Sequence, residues 1–175
     1  MILDFLEIGT VVGTHGIHGE VRVNPACDSP EFFAGFDVLY YEDDMQGHMP
    51  MPVRVLGVRT HKNMALLQLE GVDSVEAAQA LRGEKLFFRR ADARLEEGRY
   101  FVAELLDCEV FDAHDPALRY GVISDVTETG ANDVWHIQTP EGNEILIPVI
   151  DDVVKAVDVE AGRVEIVMLE GLREV

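Results

Sequence analysis

The chain has 175 residues, 47% hydrophobic and 27% charged, with 15 Gly and 7 Pro, which leaves room for one medium or two small globular domains and excludes a collagenous or disordered polymer. Fourteen Lys and Arg stand against 33 Asp and Glu, a formal charge of −19. Affinity for nucleic acid draws on cations that displace phosphate counterions, so strong binding to free DNA or RNA is excluded, while the same field favours encounter with a basic protein.

The elements follow in chain order. The first run, Met1 to Glu7, has acids inside it and no basic flank, a poor signal peptide. The β-branched runs Ile8–Thr14 and Gly19–Val23 flank the turn His15-Gly16-Ile17-His18 and read as a hairpin. Ser29-Pro30-Glu31-Phe32-Phe33 suits one helical turn with Ser29 as cap and Pro30 at its first position. Val38–Tyr41 is a strand, Glu42–Met51 a polar loop, and Val53–Thr60 with Met64–Leu69 a second strand pair around Thr60-His61-Lys62-Asn63. One helix is clear, over Ser74–Arg82, with Asp73 as cap, Glu76 completing a capping box and Gly83 as stop. Strand Lys85–Arg89 precedes an aperiodic polar stretch, and the β pattern restarts with Cys108–Asp112, Tyr120–Val126, Val134–Thr139, Glu144–Pro148 and Val164–Met168. Short, closely spaced strands with little helix predict an all-β chain of two small β-barrels in tandem. The expected boundaries are a first domain over 1–90, a linker over 91–98 and a second domain over 99–175.

Charge divides at that boundary. Residues 1–94 hold 9 basic and 14 acidic side chains, and residues 95–175 hold 5 and 19. The excess serves either solubility or the steering of a basic partner. No stretch approaches the ~18 apolar residues of a membrane helix. Cys27 and Cys108 have neither the number nor the spacing for a disulfide framework or a thiolate metal site. A cytoplasmic protein without membrane association is expected.

No catalytic constellation emerges. The segment Gly13 to Gly19 matches neither phosphate-loop spacing, and a strand follows it, so Gly13, His15, Gly16 and Gly19 read as a structural hairpin with a contact role as the alternative. His15 and His18 supply half a zinc shell with nothing spaced to finish it. Asp151-Asp152 and Glu96-Glu97 read as solvated charge, and Ser29 and Ser124 lack a nucleophile elbow. We expect no enzyme, no cofactor and no metal. Aromatic residues are the better binding candidates. In Tyr100-Phe101, neighbours on an extended segment point to opposite faces, one anchoring the domain and one offered to a partner. Trp135, the single tryptophan, follows the turn Thr129 to Asp133, in which Gly130 and Asn132 suit left-handed geometry. Trp135 either packs the second barrel or joins Asn132 in a contact.

Across its length the chain resembles the RimM family of ribosome maturation factors. The resemblance lies in Gly9 to Val23, in Leu69-Glu70-Gly71-Val72-Asp73 with the Ala-rich helix ending Leu81-Arg82-Gly83, and in Thr129 to Trp135, Ile145-Leu146-Ile147-Pro148 and Leu169-Glu170-Gly171-Leu172. It implies a six-stranded translation-factor-like barrel followed by a PRC-type barrel. It also implies a non-enzymatic chaperone for assembly of the head of the bacterial small ribosomal subunit. Such a factor supports processing of the subunit's RNA and binds the immature particle through ribosomal protein nineteen; a monomer is expected. The family's tandem aromatic pair falls on Tyr100 and Phe101, with Phe where Tyr is usual and Val102-Ala103-Glu104 in place of the commoner Trp-x-Asp. The competing expectation is a generic PRC-barrel interaction module of another complex.

Overall fold

The computed structural model describes residues 4–42 and 50–172. They fold into two compact units, one spanning Asp4–Arg94 and one running from Leu95 onward. In the first unit, strands β1 (Phe5–His15), β2 (Glu20–Pro25), β3 (Val38–Tyr41), β4 (Met51–His61), β5 (Met64–Leu69) and β6 (Lys85–Arg89) pair in the order β1-β2-β5-β4-β3-β6 and close into a barrel. Closure falls on β1. Its 11 residues pair antiparallel with β6 through their first half and with β2 through their second, and irregularities at Glu7/Gly9 and Val11/Gly13 bend the strand from one partner to the other.

Alternation along the strands fills the barrel. Ile8, Val11, Val21, Val23, Leu39, Leu67 and Leu86 are completely buried, and each such side chain stabilises the fold by about 1.5–3 kcal/mol relative to exposure. A 3-10 turn, Pro30–Gly35, contributes Phe33 to this core, and the Phe36 and Phe88 rings lie 5.0 Å apart beside it. Ser29 occupies the cap position but makes no side-chain cap; its carbonyl accepts from the Phe32 N–H at 3.2 Å, so backbone and packing hold the turn. Of the loop expected over Glu42–Met51, residues 43–49 lie outside the described residues and Met51 opens β4.

The helix α1 (Val75–Ala80) corrects two expectations. Its cap is Ser74, whose Oγ accepts the Ala77 N–H at 3.1 Å, and not Asp73. Ser74 has the extended backbone (φ −134°, ψ 160°) directly before the first helical residue, and only from that position does a side chain reach the third N–H. The helix is also shorter than Ser74–Arg82, because Leu81 and Arg82 tighten onto the Ala78 and Gln79 carbonyls.

The second unit begins with the helical turn α2 (Val102–Leu105) and continues with β7 (Glu109–Asp112), β8 (Arg119–Thr127), β9 (Val134–Gln138), β10 (Glu144–Pro148), β11 (Val154–Asp158) and β12 (Arg163–Ile166). These form one six-stranded sheet in the order β10-β9-β8-β7-β12-β11, antiparallel except where β12 runs parallel to β7. One core takes side chains from five of the strands, including Val110, Ile123, Trp135, Ile137, Ile147, Val164 and Ile166, so the sheet wraps around a shared interior. Strand β11 escapes sequence reading. It lies at the edge of the order, and with Lys155 and Ala156 exposed its alternation is weak. The architecture is the expected all-β one with two sheets in tandem.

Candidate functional site

The chain enters the second unit through Tyr100 and Phe101. Alternation predicts an extended segment here, but the backbone turns helical immediately after Phe101, whose carbonyl accepts the N–H groups of Glu104 at 2.9 Å and Leu105 at 3.3 Å. The cause is burial. Leu105 is 3% exposed, and one turn of helix carries it into the apolar core of the second unit while enclosing Glu104 as well. Tyr100 packs against the core of the second unit and Phe101 is partly exposed. Val102 and Leu106, four residues apart and therefore on one face of the turn, are each 37% exposed. The arrangement is a small apolar surface rooted in a packed core, with the left-handed Asp107 (φ 66°) ending the turn and donating its N–H to the Ile123 carbonyl at 2.9 Å. Sequence reading missed Val102 and Leu106, since only the helical turn aligns them.

The second sequence candidate, the loop between β8 and β9, divides in two. Asn132 is exposed, and its N–H donates to the Thr129 hydroxyl at 3.2 Å, while that hydroxyl donates to the Asn132 carbonyl. Neither Gly130 nor Asn132 has the positive φ expected of it. The threonine side chain closes the loop instead. Trp135 is 2% exposed and belongs to the core; of its two readings the structure places it in the packing role, because on β9 odd-numbered residues Trp135 and Ile137 face inward. The outward neighbour His136 shares its ring nitrogens with the Thr127 hydroxyl at 2.8 Å and the Glu144 carboxylate at 3.1 Å, pinning three strands.

The glycine-rich segment forms the end of the β1–β2 hairpin, with Gly16 (φ 68°) and Gly19 (φ 86°) in left-handed conformation. Gly19 is also a point of close approach: a Cβ there would lie 2.6 Å from the Val72 carbonyl oxygen and 2.7 Å from the Ser74 nitrogen. Gly13 sits opposite Arg22 in the ladder, and a Cβ on it would meet the guanidinium at 3.1 Å. His18 is exposed at the hairpin tip, whereas the His15 ring lies 5.8 Å from that of His61, on the neighbouring β4–β5 hairpin. The structure thus brings His15 together with residues that spacing along the chain does not connect. Beside them, Glu20 is bound by Arg59 through two contacts of 2.5 and 3.1 Å, and the Arg59 hydrogen bond holds the Glu20 carboxyl below its ordinary range.

The chain matches two family models, the RimM N-terminal domain over residues 6–93 and the RimM PRC barrel domain over residues 102–172. Relatives named ribosome maturation factor RimM align along nearly the whole length. One from Leuconostoc mesenteroides is 38% identical, covering 97% of this chain and 96% of its own. One from Acetivibrio thermocellus is 34% identical, covering 98% and 97%. A crystal structure from Pseudomonas aeruginosa, described as a 16S ribosomal RNA processing protein RimM, is 26% identical with a TM-score of 0.47 and covers 95% of this chain and 98% of that one. Tyr100 and Phe101 fall just ahead of the second matched segment.

Proposed function

The chain belongs to the RimM family of ribosome maturation factors, and we propose that it serves as a non-enzymatic chaperone for assembly of the head of the small ribosomal subunit. It acts as a cytoplasmic monomer, supports processing of the 16S RNA without cleaving it, and binds the immature particle through ribosomal protein nineteen. The first domain spans 1–90 and the second 99–175, joined by 91–98. The observation that carries the reading is the apolar surface at the start of the second unit, where Phe101, Val102 and Leu106 surround a turn anchored by Tyr100 and Leu105. That surface belongs to a half of the chain with 19 acidic and 5 basic side chains, complementary to a basic ribosomal protein. Asn132 offers a further polar contact.

The mechanism is differential affinity. A factor biases assembly only if it holds the unfinished state more tightly than the finished one, and equal affinity shifts nothing. Replacing Phe101 and Tyr100 together by Ala removes one partly exposed and one anchoring ring. Co-sedimentation with immature small subunits is expected to weaken roughly tenfold or more, the effect of losing ~1.4 kcal/mol or more of contact energy. Because Tyr100 also packs the core, Phe101→Ala alone and Leu106→Ser serve as second variants. Undiminished co-sedimentation of all three refutes the assignment.

A further inference from the structure

We propose that an open groove at the hairpin ends of the first unit binds a phosphodiester strand of the precursor ribosomal RNA. This rests on the small-subunit reading above and assigns that particle a second contact, distinct from the apolar surface. The groove is lined by Val12, His15, Arg22, His61, Lys62 and Met64, supplied by β1, β2 and the β4–β5 hairpin. Its cations are held in place by local structure. Gly13 leaves the space opposite Arg22 into which the guanidinium lies. Lys62 and Asn63, both left-handed at φ 48° and 62°, form the two-residue turn that presents the lysine at the tip.

Charge complementarity chooses the occupant. The carboxylate of Glu20, opposite His15 in the ladder, is already neutralised by Arg59. Among the described residues neither Arg22 nor Lys62 is paired with a carboxylate, although acids outnumber bases in the chain by 33 to 14. Two unpaired, exposed cations in so acidic a protein leave a local positive site. The paired His15 and His61 rings, 5.8 Å apart and tilted by 50°, add aromatic faces beside it, and the side chains of Val12 and Met64 add apolar contact. Cations beside aromatic faces suit a single-stranded phosphodiester, whose backbone takes the charges while a base lies on a ring.

Two cations give little affinity for free RNA against the net charge of the chain. Once the second unit has docked, the contact becomes intramolecular, with an effective concentration on the order of mM, and a weak site becomes an occupied one.

The test uses immature small subunits from cells lacking the factor. The full-length protein and Arg22→Ala/Lys62→Ala are compared by co-sedimentation across a salt series, and a photo-crosslinking side chain in place of Asn63 reports the neighbour. Both substituted residues are exposed, and unchanged thermal unfolding verifies the fold. The double variant is expected to bind roughly tenfold more weakly at low salt, with the slope of log K against log salt reduced by about 2, and position 63 to attach to RNA. Unchanged affinity and slope overturn the groove. So does attachment solely to a ribosomal protein, or no attachment from a variant that still co-sediments. Failure of the unsubstituted protein to co-sediment overturns the functional reading itself, which separates the two failures.

Discussion

At the scale of single residues, Asp112 shows how a surface carboxylate organises a loop. Its Oδ1 accepts the N–H groups of His114 and Asp115 at 2.8 and 2.9 Å, and its Oδ2 accepts the Tyr120 hydroxyl at 2.6 Å. The tyrosine hydrogen bond, followed by the His114 N–H, holds this carboxyl below the ordinary range. A folded-state value below the unfolded one means stability that is present above the unfolded value and lost as pH falls through the folded one. Tyr120→Phe is therefore expected to lower the urea midpoint near pH 7, with a deficit that shrinks once acid protonates Asp112. A deficit of constant size across that range would show that the hydroxyl stabilises the fold other than through this carboxylate. At the same scale Arg163 stacks 3.8 Å above the Phe111 ring while pairing with Glu165 at 3.1 Å. That contact joins β12 to β7 on the outer side of the parallel pair.

At the scale of elements, the helix α1 tests how a boundary is chosen. Asp73 and Ser74 are both good cap types, and the amino acid pattern alone cannot rank them; the extended backbone at Ser74 does. Ser74→Ala is expected to cost about 1 kcal/mol, and Asp73→Ala markedly less. Equal losses in urea denaturation would place the helix start one residue earlier. The cap also has a tertiary role, since Gly19 of the first hairpin lies against the Val72–Ser74 backbone. The segment around the helix start therefore fixes the hairpin whose outer end carries His15. The element α2 works in the opposite direction. It is too short to be stable alone, and it forms because Leu105 is drawn into the core of the second unit, which in turn displays Val102 and Leu106.

At the scale of the whole molecule, the uneven charge has a kinetic consequence. With 19 acids and 5 bases beyond residue 94, the charge of the second unit favours a basic protein over RNA, so under the proposed function encounter with ribosomal protein nineteen is expected to slow as salt rises. The Debye length shortens from about 10 Å at 0.1 M to about 3 Å at 1 M. Stopped-flow association with that purified protein across a salt series measures this, and a salt-independent on-rate would assign the acidic excess to solubility alone. The two surfaces have opposite chemistry: an apolar turn on the acidic half, and at the hairpin ends of the other Arg22 and Lys62, which have no carboxylate partner among the described residues.

Much of this was legible in the order of the amino acids. Period-two alternation located eleven of the twelve strands of the described residues within a few residues, because a strand that covers a core must alternate, whatever its neighbours are. Turn chemistry marked Gly16 and Gly19 for the same local reason. The edge strand β11 was invisible, since only Val154 and Val157 of it pack against the core and the adjacent Lys155 and Ala156 are both exposed, and Trp135 was ambiguous until its strand's inward side was known. The assembled sites lay furthest from view. His15 and His61 are neighbours because β5 pairs with β2 and carries the next hairpin alongside, and Val102 meets Leu106 on one face because burial of Leu105 coils the chain. Local propensity acts between adjacent residues, whereas these groupings depend on contacts between segments distant in sequence, which exist only after the barrel closes and the core fills.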